Sequence, residues 1–268
     1  MRKLLLAVLF GTVIAAHPAL AARCGGDFNT FVAGISADAQ AAGISPNVIS
    51  SALGGVQRDG AVLNFDRRQR YTFNKSFEQY VSTRVGAGRI NGGRAMMQRH
   101  AALLSRIEQR FGVPPQIIVA IWGLETDFGR GDMGRLPVFR VLATLAHDCR
   151  RSELFQGELL AALKIVQRGD LRLNDMIGAY AGEIGQTQFL PSSYIKYGVD
   201  FDGDGHVDLR HSVPDVLAST ANLLKTNGWR PGPYGEGSAN FDAMREWNHA
   251  TIYRKTIGYF ADRLTEGR

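Results

Sequence analysis

The 268-residue sequence predicts a mainly α-helical protein. Apolar side chains recur at three- and four-residue steps, most clearly from about Asn91 to Phe111, whereas strand-like alternation is short and rare. Pro115 and Pro214 occupy first-turn positions, and Ser212 is a plausible helix cap. Helices are therefore expected over residues 26–42, 46–53, 74–85, 91–111, 115–127, 152–167, 213–227 and 250–265.

The N-terminal residues have the pattern of a secretory signal peptide. A basic start is followed by an apolar run that ends in the small-residue site Ala19-Leu20-Ala21. The run is too short to span a membrane, and Arg23 before Cys24 does not fit a lipoprotein signal. We therefore expect residues 1–21 to be removed and the mature chain to be exported and soluble, without a membrane anchor.

The charge of the mature chain is mildly positive. Loss of Arg2 and Lys3 leaves 29 basic and 25 acidic residues, a net charge of +4. This balance favours an anionic polymer such as a cell wall as partner. No long basic run or arginine-aromatic cluster indicates nucleic-acid binding.

The mature chain is expected to form one compact unit, residues 22–268, because no low-complexity linker or internal repeat divides it. Within it we expect a helical N-terminal lobe at 22–112 and a catalytic core at 113–228. Residues 229–268, after the Gly/Pro-rich loop 228–237, would complete a groove.

Cys24 and Cys149 are the two cysteines of the chain. Because the chain is expected in an oxidising compartment, one disulfide between them is the natural prediction. The alternative is a pair of free thiols, since sequence does not show proximity.

Glu125 is the candidate catalytic residue. In the stretch IIVAIWGLETDFG at 117–129, Ile118, Ile121, Trp122 and Glu125 share one face of the predicted helix. A carboxyl group placed where a core residue belongs favours its neutral form, so it can donate a proton near neutral pH, as cleavage of a glycosidic bond requires. The alternative is a buried glutamate that pairs with an arginine for structure.

A second candidate region is the polar stretch YAGEIGQTQFLPSSY at 180–194. Gly182 and Gly185 permit close backbone approach. Its amides and hydroxyls suit the hydrogen bonding of sugars, and its tyrosines could stack on pyranose faces; these residues are Gln186, Gln188, Ser192, Ser193, Tyr180 and Tyr194. The alternative is a polar turn with Pro191 opening a helix.

The stretch DFDGDGHVD at 200–208 resembles a calcium-binding loop. Aspartates occupy its first, third and fifth positions, glycine its sixth, and Asp208 its ninth. The twelfth position is His211, where a bidentate glutamate belongs, so either Asp215 closes a longer loop or the affinity is low. The alternative is a loop rich in Asx turns without a metal.

Several common catalytic motifs are absent. The sequence contains no HExxH, CxxC, GxSxG or Walker loop. Zinc peptidase, disulfide exchange, α/β-hydrolase and nucleotide-dependent activities therefore lack support.

Taken together, four stretches resemble the lytic murein transglycosylase B family, of membrane-bound and soluble type. They are WGLETDFG at 122–129, AGEIGQTQFLPSSY at 181–194, the aspartate loop with NLLKTNGW at 222–229, and WNHATIYRKTIGYFADRL at 247–264. The resemblance extends from about Phe65 onward. It implies a lysozyme-like helical core with helical lobes and an EF-hand-like loop, and cleavage of peptidoglycan glycan strands in the periplasm.

The resemblance also implies roles for individual residues. Glu125 would protonate the oxygen between N-acetylmuramic acid and N-acetylglucosamine and then act as base, while the muramoyl 6-hydroxyl closes a 1,6-anhydro ring. No cofactor would be needed beyond a structural calcium ion. The glycan contacts would be Gln188, Arg151, Asn248, Tyr253 and Tyr80, and the calcium ligands Asp200, Asp202, Asp204, His206 and Asp215.

The chain departs from the family pattern at a few positions. Ala179 replaces a serine and Leu223 a groove tyrosine, so individual sugar contacts are expected to differ. Glu183 stands where related motifs have alanine; it would face solvent or cap a helix. Asp127, two residues after Glu125, points about 200° away on a helix and is not expected to be its partner.

Three functions remain in competition at this point. The first is a lyase that acts by intramolecular transglycosylation. The second is a muramidase that uses water, with Glu125 as acid and Glu183 or Asp127 as base. The third is a non-catalytic wall-binding module, recruited directly or through unknown cell-wall or secretion partners.

Overall fold

The structure is a computed structural model that describes residues 24–68 and 76–266, and it confirms a mainly α-helical fold. The predicted signal peptide, residues 1–21, lies outside the described residues. Two antiparallel two-residue strands, β1 (Leu136–Pro137) and β2 (Ile177–Gly178), form a small sheet. The helices are α1 Phe28–Ala41, α2 Pro46–Leu53, α3 Gly60–Arg68, α4 Phe77–Arg84, α5 Ala87–Arg99, α6 Ala101–Phe111, α7 Pro115–Thr126, α8 Val138–His147, α9 Ser152–Arg168, a 3₁₀ helix Leu173–Asp175, α10 Pro191–Tyr197, α11 Val213–Thr226, α12 Ala239–Ala243 and α13 Thr251–Thr265.

Most predicted helices are found with both ends within three residues of the expected positions, but the prediction of one helix over 91–111 is wrong. Two helices, α5 and α6, meet at His100, whose φ of −105° and ψ of 21° are not helical. Both helices contact α7, and the break lets α5 pack on α13 as well while α6 packs on α11. The His100 ring lies against Trp122, with ring centroids 5.9 Å apart.

The sequence patterns did not predict α3, α8 or α12. The missed helix with the largest structural role is α8, VFRVLATLAH, in which every residue except Arg140 is buried. Its β-branched residues and its start without a capping side chain remove the usual helix signals. Packing against α9 supplies the stabilisation that propensity does not. The short helix α10 does begin at Pro191, as the alternative for the polar stretch supposed.

Helix α7 lies at the centre of one group of helices. It is packed by α5, α6, α11 and α13, and every residue from Ile117 to Leu124 is buried. A helix that is apolar on all sides belongs in the interior of a protein. The sequence predicted one apolar stripe on this helix, whereas the structure buries all of its sides from Ile117 to Leu124. Glu125 near its end is the one half-buried carboxyl group on this helix.

A second group of helices surrounds α8 and α9. Helices α1, α2 and α3 pack against α8, and α1, α2 and α10 pack against α9. The segment proposed as an N-terminal lobe, 22–112, is thus divided between the two groups, and one continuous apolar core joins them. Among the described residues, no helix is long and apolar enough to cross a membrane.

The predicted disulfide is confirmed. Cys24 and Cys149 are bonded, with their Cα atoms 5.1 Å apart. The bond ties the start of the described chain to the end of α8. Nearby, the Gly25 amide donates to the carbonyl of His147, whose ring packs edge-on against Phe28 and Phe31.

Candidate active site

A cavity of about 340 Å³ opens between the two groups of helices. Its walls come from the end of α7, the hairpin after β2, the start of α10, the last turn of α11 and the segment between α12 and α13. The lining residues are Glu125, Glu183, Thr187, Gln188, Phe189, Leu190, Ser193, Leu223, Glu246, Trp247 and Asn248.

The end of α7 is fixed by an unusual backbone. Asp127, Phe128 and Gly129 all have positive φ, at 48°, 62° and 75°. Phe128 turns back under the helix, where a side chain at Gly123 would lie 2.7 Å from its ring. Such strain persists where surrounding packing determines it, and here it ends the helix one turn after Trp122.

Gln186 holds the polar stretch 180–194 against α7 through two hydrogen bonds. Its side-chain oxygen accepts from the Trp122 indole at 2.9 Å, and its carbonyl accepts from the Thr126 hydroxyl at 2.5 Å. Gly185 has a φ of 79°, and any Cβ there would lie 2.1 Å from the Leu209 carbonyl oxygen, which confirms the predicted close backbone approach. These contacts set the hairpin at a fixed distance from the helix that holds Glu125.

Two donors converge on the same oxygen of Glu125. The Tyr253 hydroxyl donates to Oε1 at 2.5 Å, and the Trp247 indole N–H donates to the same atom at 3.1 Å. The Trp247 ring is itself held edge-on by Phe189, with centroids 5.4 Å apart. Because Oε1 accepts both of these hydrogen bonds, Oε2 is the oxygen that can carry the acidic proton.

The environment of Glu125 favours its protonated form. Removal from water raises the pKa of this carboxyl group, and the hydrogen bonds from Tyr253 and Trp247 oppose the rise. The negative charge of Glu183 raises the pKa further, and the Arg84 guanidinium lowers it. Burial and the adjacent Glu125 also raise the pKa of Tyr253, so its hydroxyl remains a donor. In the described chain Glu125 has no ion pair, which argues against the structural alternative.

The predicted glycan contacts divide into three sets. Gln188 and Asn248 line the cavity with Glu125. Tyr253 and Tyr80 do not line the cavity; both are buried, and the Tyr253 hydroxyl donates a hydrogen bond to Glu125. The Gln188 amide nitrogen donates to the Gly185 carbonyl at 2.8 Å, so its side-chain oxygen remains an acceptor for a ligand.

Arg151 lies outside this cavity. Its guanidinium pairs with Asp66 on α3 and covers the ring of Phe155 at 4.9 Å. It therefore contacts the α3 side of the molecule, beside the disulfide, and its contact with glycan stays a prediction. Asp66 also pairs with Arg150, so the two arginines share one carboxylate.

Several polar residues of the 180–194 stretch serve the fold instead of the cavity. Gln186 is hydrogen-bonded to residues of α7, and the amide and hydroxyl of Ser192 both donate to the buried carboxylate of Glu158. Tyr194 is 1% exposed, so the expectation that it stacks on a sugar is wrong. Tyr180 is 42% exposed and stacks on Phe65, with ring centroids 3.7 Å apart.

Glu183 is not on the solvent face that its sequence position suggested. It is half-buried on the cavity wall, and its Oε2 accepts from the Ala181 amide at 2.9 Å. Asp127 is not bonded to Glu125, as expected; it pairs with Arg89 and Arg130. Leu223 lines the cavity, so the difference from the family pattern expected at this position would fall on the cavity wall.

Sequence reasoning missed Trp247 and Glu246. Both line the cavity, and the Trp247 indole donates a hydrogen bond to Glu125. They lie between α12 and α13 in a segment without periodicity, so no burial pattern marks them. The one available signal is that Trp247 begins the last of the motifs quoted above.

The aspartate loop gathers ligands for a hard cation. Oxygen atoms of Asp200, Asp202 and Asp204 lie within 4.8 Å of one another, and the loop places two of these residues at the surface. Carboxylate oxygens that converge in this way fit calcium. His206 and Asp215 are not part of this cluster of side chains.

The buried side chain of Asp215 stabilises the aspartate loop through hydrogen bonds. It is fully buried, and its carboxylate accepts from the amides of Phe201, Asp202 and Asp208. Burial raises its pKa, and the amides of Asp208 and Phe201 oppose the rise. This arrangement gives Asp215 a role in holding the loop, and its predicted role as a ligand stays a prediction.

The comparisons with known proteins agree with this geometry. A family model described as "Transglycosylase SLT domain" matches residues 27–237. The chain is 37% identical over 171 residues to membrane-bound lytic murein transglycosylase B of Escherichia coli (strain K12). These residues are 63% of this chain and 47% of that protein, so the chain spans about half the length of this curated relative.

Solved structures resemble the whole described fold. SltB3 from Pseudomonas aeruginosa, in complex with NAG-anhNAM-pentapeptide, is 32% identical with a TM-score of 0.83, covering 91% of this chain and 80% of its own. The Escherichia coli lytic transglycosylase Slt35, in complex with calcium, is 26% identical with a TM-score of 0.78, covering 91% and 96%. These matches confirm the lysozyme-like helical fold. The chain belongs to the transglycosylase SLT domain family.

Proposed function

We propose that this protein is a lytic transglycosylase that cleaves the β-1,4 bond between N-acetylmuramic acid and N-acetylglucosamine in peptidoglycan, leaving a 1,6-anhydromuramoyl end. The observation that carries the proposal is the geometry of Glu125, a carboxyl group on the cavity wall with Oε1 fixed by two donors and Oε2 left for proton transfer. The likeness to SltB3, which was solved with a NAG-anhNAM-pentapeptide, supports the substrate class.

The proposed reaction needs one carboxyl group in two successive roles. Glu125 gives its Oε2 proton to the glycosidic oxygen as the bond from that oxygen to the muramoyl anomeric carbon breaks. The muramoyl 6-oxygen then bonds to the same carbon, and its proton passes to the Glu125 carboxylate. Glu125 therefore ends the reaction protonated, as it began, and no water is consumed.

Product analysis tests the proposal against the muramidase alternative. Purified peptidoglycan would be digested with the mature protein and the fragments weighed by mass spectrometry. Anhydro ends, lighter than reducing ends by one water, are the expected result. Reducing ends would establish hydrolysis, and binding without any cleavage would establish the wall-binding module.

The location of the protein is part of the proposal. Peptidoglycan substrates, the disulfide and the signal-like first 21 residues together support a periplasmic mature chain that begins at Ala22. Electrospray mass of the protein from its native compartment tests this, and an uncleaved or lipid-modified chain would contradict it.

Tyr253 is expected to act as a positioning residue for Glu125. In Tyr253→Phe, kcat should fall about tenfold because the carboxyl group loses a fixed orientation. Loss of this hydrogen bond also raises the pKa of Glu125, so the alkaline limb of the kcat/KM profile should move to higher pH. The matched control is Tyr259→Phe on the same helix, whose ring is 38% exposed. An unchanged pH profile in Tyr253→Phe would contradict the role.

We also propose that the aspartate loop binds calcium as a structural ion. The converging oxygens of Asp200, Asp202 and Asp204 support it, as does the calcium complex of Slt35. Calcium should raise the melting temperature, since a ligand at a hundred times its Kd adds about 2.7 kcal/mol to stability. Asp200→Asn should lose this response while the exposed Asp132→Asn keeps it. An equal response in both variants would place the ion elsewhere.

A further inference from the structure

The cavity around Glu125 is acidic in a chain whose formal charge is +6. Three carboxylic acids line it, Glu125, Glu183 and Glu246, and among the described lining residues there is no Lys, Arg or His. A concave wall with one sign of charge favours the opposite sign inside it. The lining of the cavity therefore favours a positive charge inside it.

Glu183 is held in this cavity wall by its backbone and by one of its carboxylate oxygens. Its carbonyl accepts from the Ala179 amide at 3.0 Å, and Ile184, next to it, pairs with both Gly178 and Phe189. Its Oε2 accepts from the Ala181 amide at 2.9 Å. In residues 24–68 and 76–266, no donor bonds to its Oε1, so one oxygen is anchored and the other is available to the cavity.

A glycosidic bond that breaks after protonation develops positive charge on the ring oxygen and anomeric carbon of the sugar. A preorganised carboxylate near that charge stabilises the transition state without reorganisation during the reaction. Glu125 cannot supply this charge while it holds the proton. Glu183, in the same cavity, can.

We propose that Glu183 is a second functional carboxylate of this active site, which stabilises the oxocarbenium-like sugar while Glu125 protonates the leaving oxygen. This inference rests on the proposed function. It gives Glu183 an electrostatic role and no bond to make or break, so the product remains the anhydro end. The same fixed negative charge helps Glu125 to keep its proton before the reaction.

Other charged groups around Glu125 do not duplicate this arrangement. Glu246 is engaged by the Tyr197 hydroxyl at 3.4 Å. Arg84 provides the opposing charge from α4. Further titratable groups near Glu125 or α7 are Tyr80 on α4, Tyr253 on α13, His100 against Trp122, and Asp127 with its partners Arg89 and Arg130.

The test is Glu183→Gln, which keeps the shape of the side chain and removes its charge. We expect kcat to fall about tenfold with little change in KM, because the lost interaction belongs to the transition state. The alkaline limb of kcat/KM should move to lower pH, since loss of the neighbouring charge lowers the pKa of Glu125. This direction is opposite to that expected for Tyr253→Phe. The control is Glu108→Gln, an exposed position on α6 outside the cavity.

Two outcomes overturn the inference. One is an unchanged kcat and pH profile in Glu183→Gln. The other is a wild-type protein that releases reducing ends which Glu183→Gln no longer makes, because Glu183 would then activate water. A ¹³C NMR titration of the Glu125 carboxyl group in the wild type and in Glu183→Gln measures the electrostatic coupling without any cleavage of substrate. If that titration moves to lower pH in the variant but the wild type cleaves nothing, the electrostatic coupling stands and the proposed function fails.

Discussion

Replacing Glu125 by glutamine should abolish the release of anhydro-muropeptides, with a loss in kcat of about a hundredfold to ten-thousandfold. The amide cannot donate a proton to the glycosidic oxygen or accept one from the 6-hydroxyl. Its oxygen can still accept from Tyr253 and Trp247, as Oε1 does in the wild type. The variant therefore removes the chemistry and preserves the contacts.

The matched control is Glu108→Gln, which makes the same change on an exposed face of α6. It should cleave peptidoglycan at the wild-type rate, measured by the same fragment analysis. Cleavage by Glu125→Gln at the rate of this control would show that another group is the acid, and the proposed mechanism would be wrong.

The same substitution should stabilise the folded protein at neutral pH. Because burial raises the pKa of Glu125 above its ordinary value of 4.5, the folded state holds a proton that the unfolded chain has released. The wild type therefore loses stability as the pH rises above 4.5 and through the folded pKa, and glutamine does not. Denaturant unfolding at pH 4 and pH 7 should show similar stabilities at the lower pH and a more stable variant at the higher one.

Loss of the disulfide should have the largest effect on stability. The bond between Cys24 and Cys149 joins residues 125 positions apart, so it strongly limits the freedom of the unfolded chain. Cys24→Ala with Cys149→Ala should lower the free energy of unfolding by about 2–4 kcal/mol. For a domain of this size that corresponds to a melting temperature lower by roughly 5–15 °C.

Reduction of the wild type provides the control for this prediction. A thiol reductant should lower the melting temperature of the wild type towards that of the double variant and leave the variant unchanged. Equal melting temperatures for oxidised wild type and double variant would show that the bond contributes nothing, and that the contacts of His147 with Phe28 and Phe31 already hold the N-terminal segment.

The sequence alone located most helices and the candidate acid, because these depend on local patterns. Helix α2 has its predicted ends, and α7 and α11 each end one residue earlier than predicted. The long segment 91–111 is different: its apolar spacing continues through His100, and the packing of α5 on α13 and of α6 on α11 divides it. Periodicity reports that a face is buried, and it does not report what covers that face.

The sequence by itself determined that the chain is mainly helical, that Glu125 stands among core residues, and that two cysteines could pair. Tertiary structure decided the rest of the site. Trp247 and Tyr253, 122 and 128 positions away in the chain, share Oε1 of Glu125; Glu183 lies in the same cavity, and Arg151 does not. Local patterns constrain neighbours along the chain, whereas the protonation state of a buried acid depends on every group that folding brings beside it.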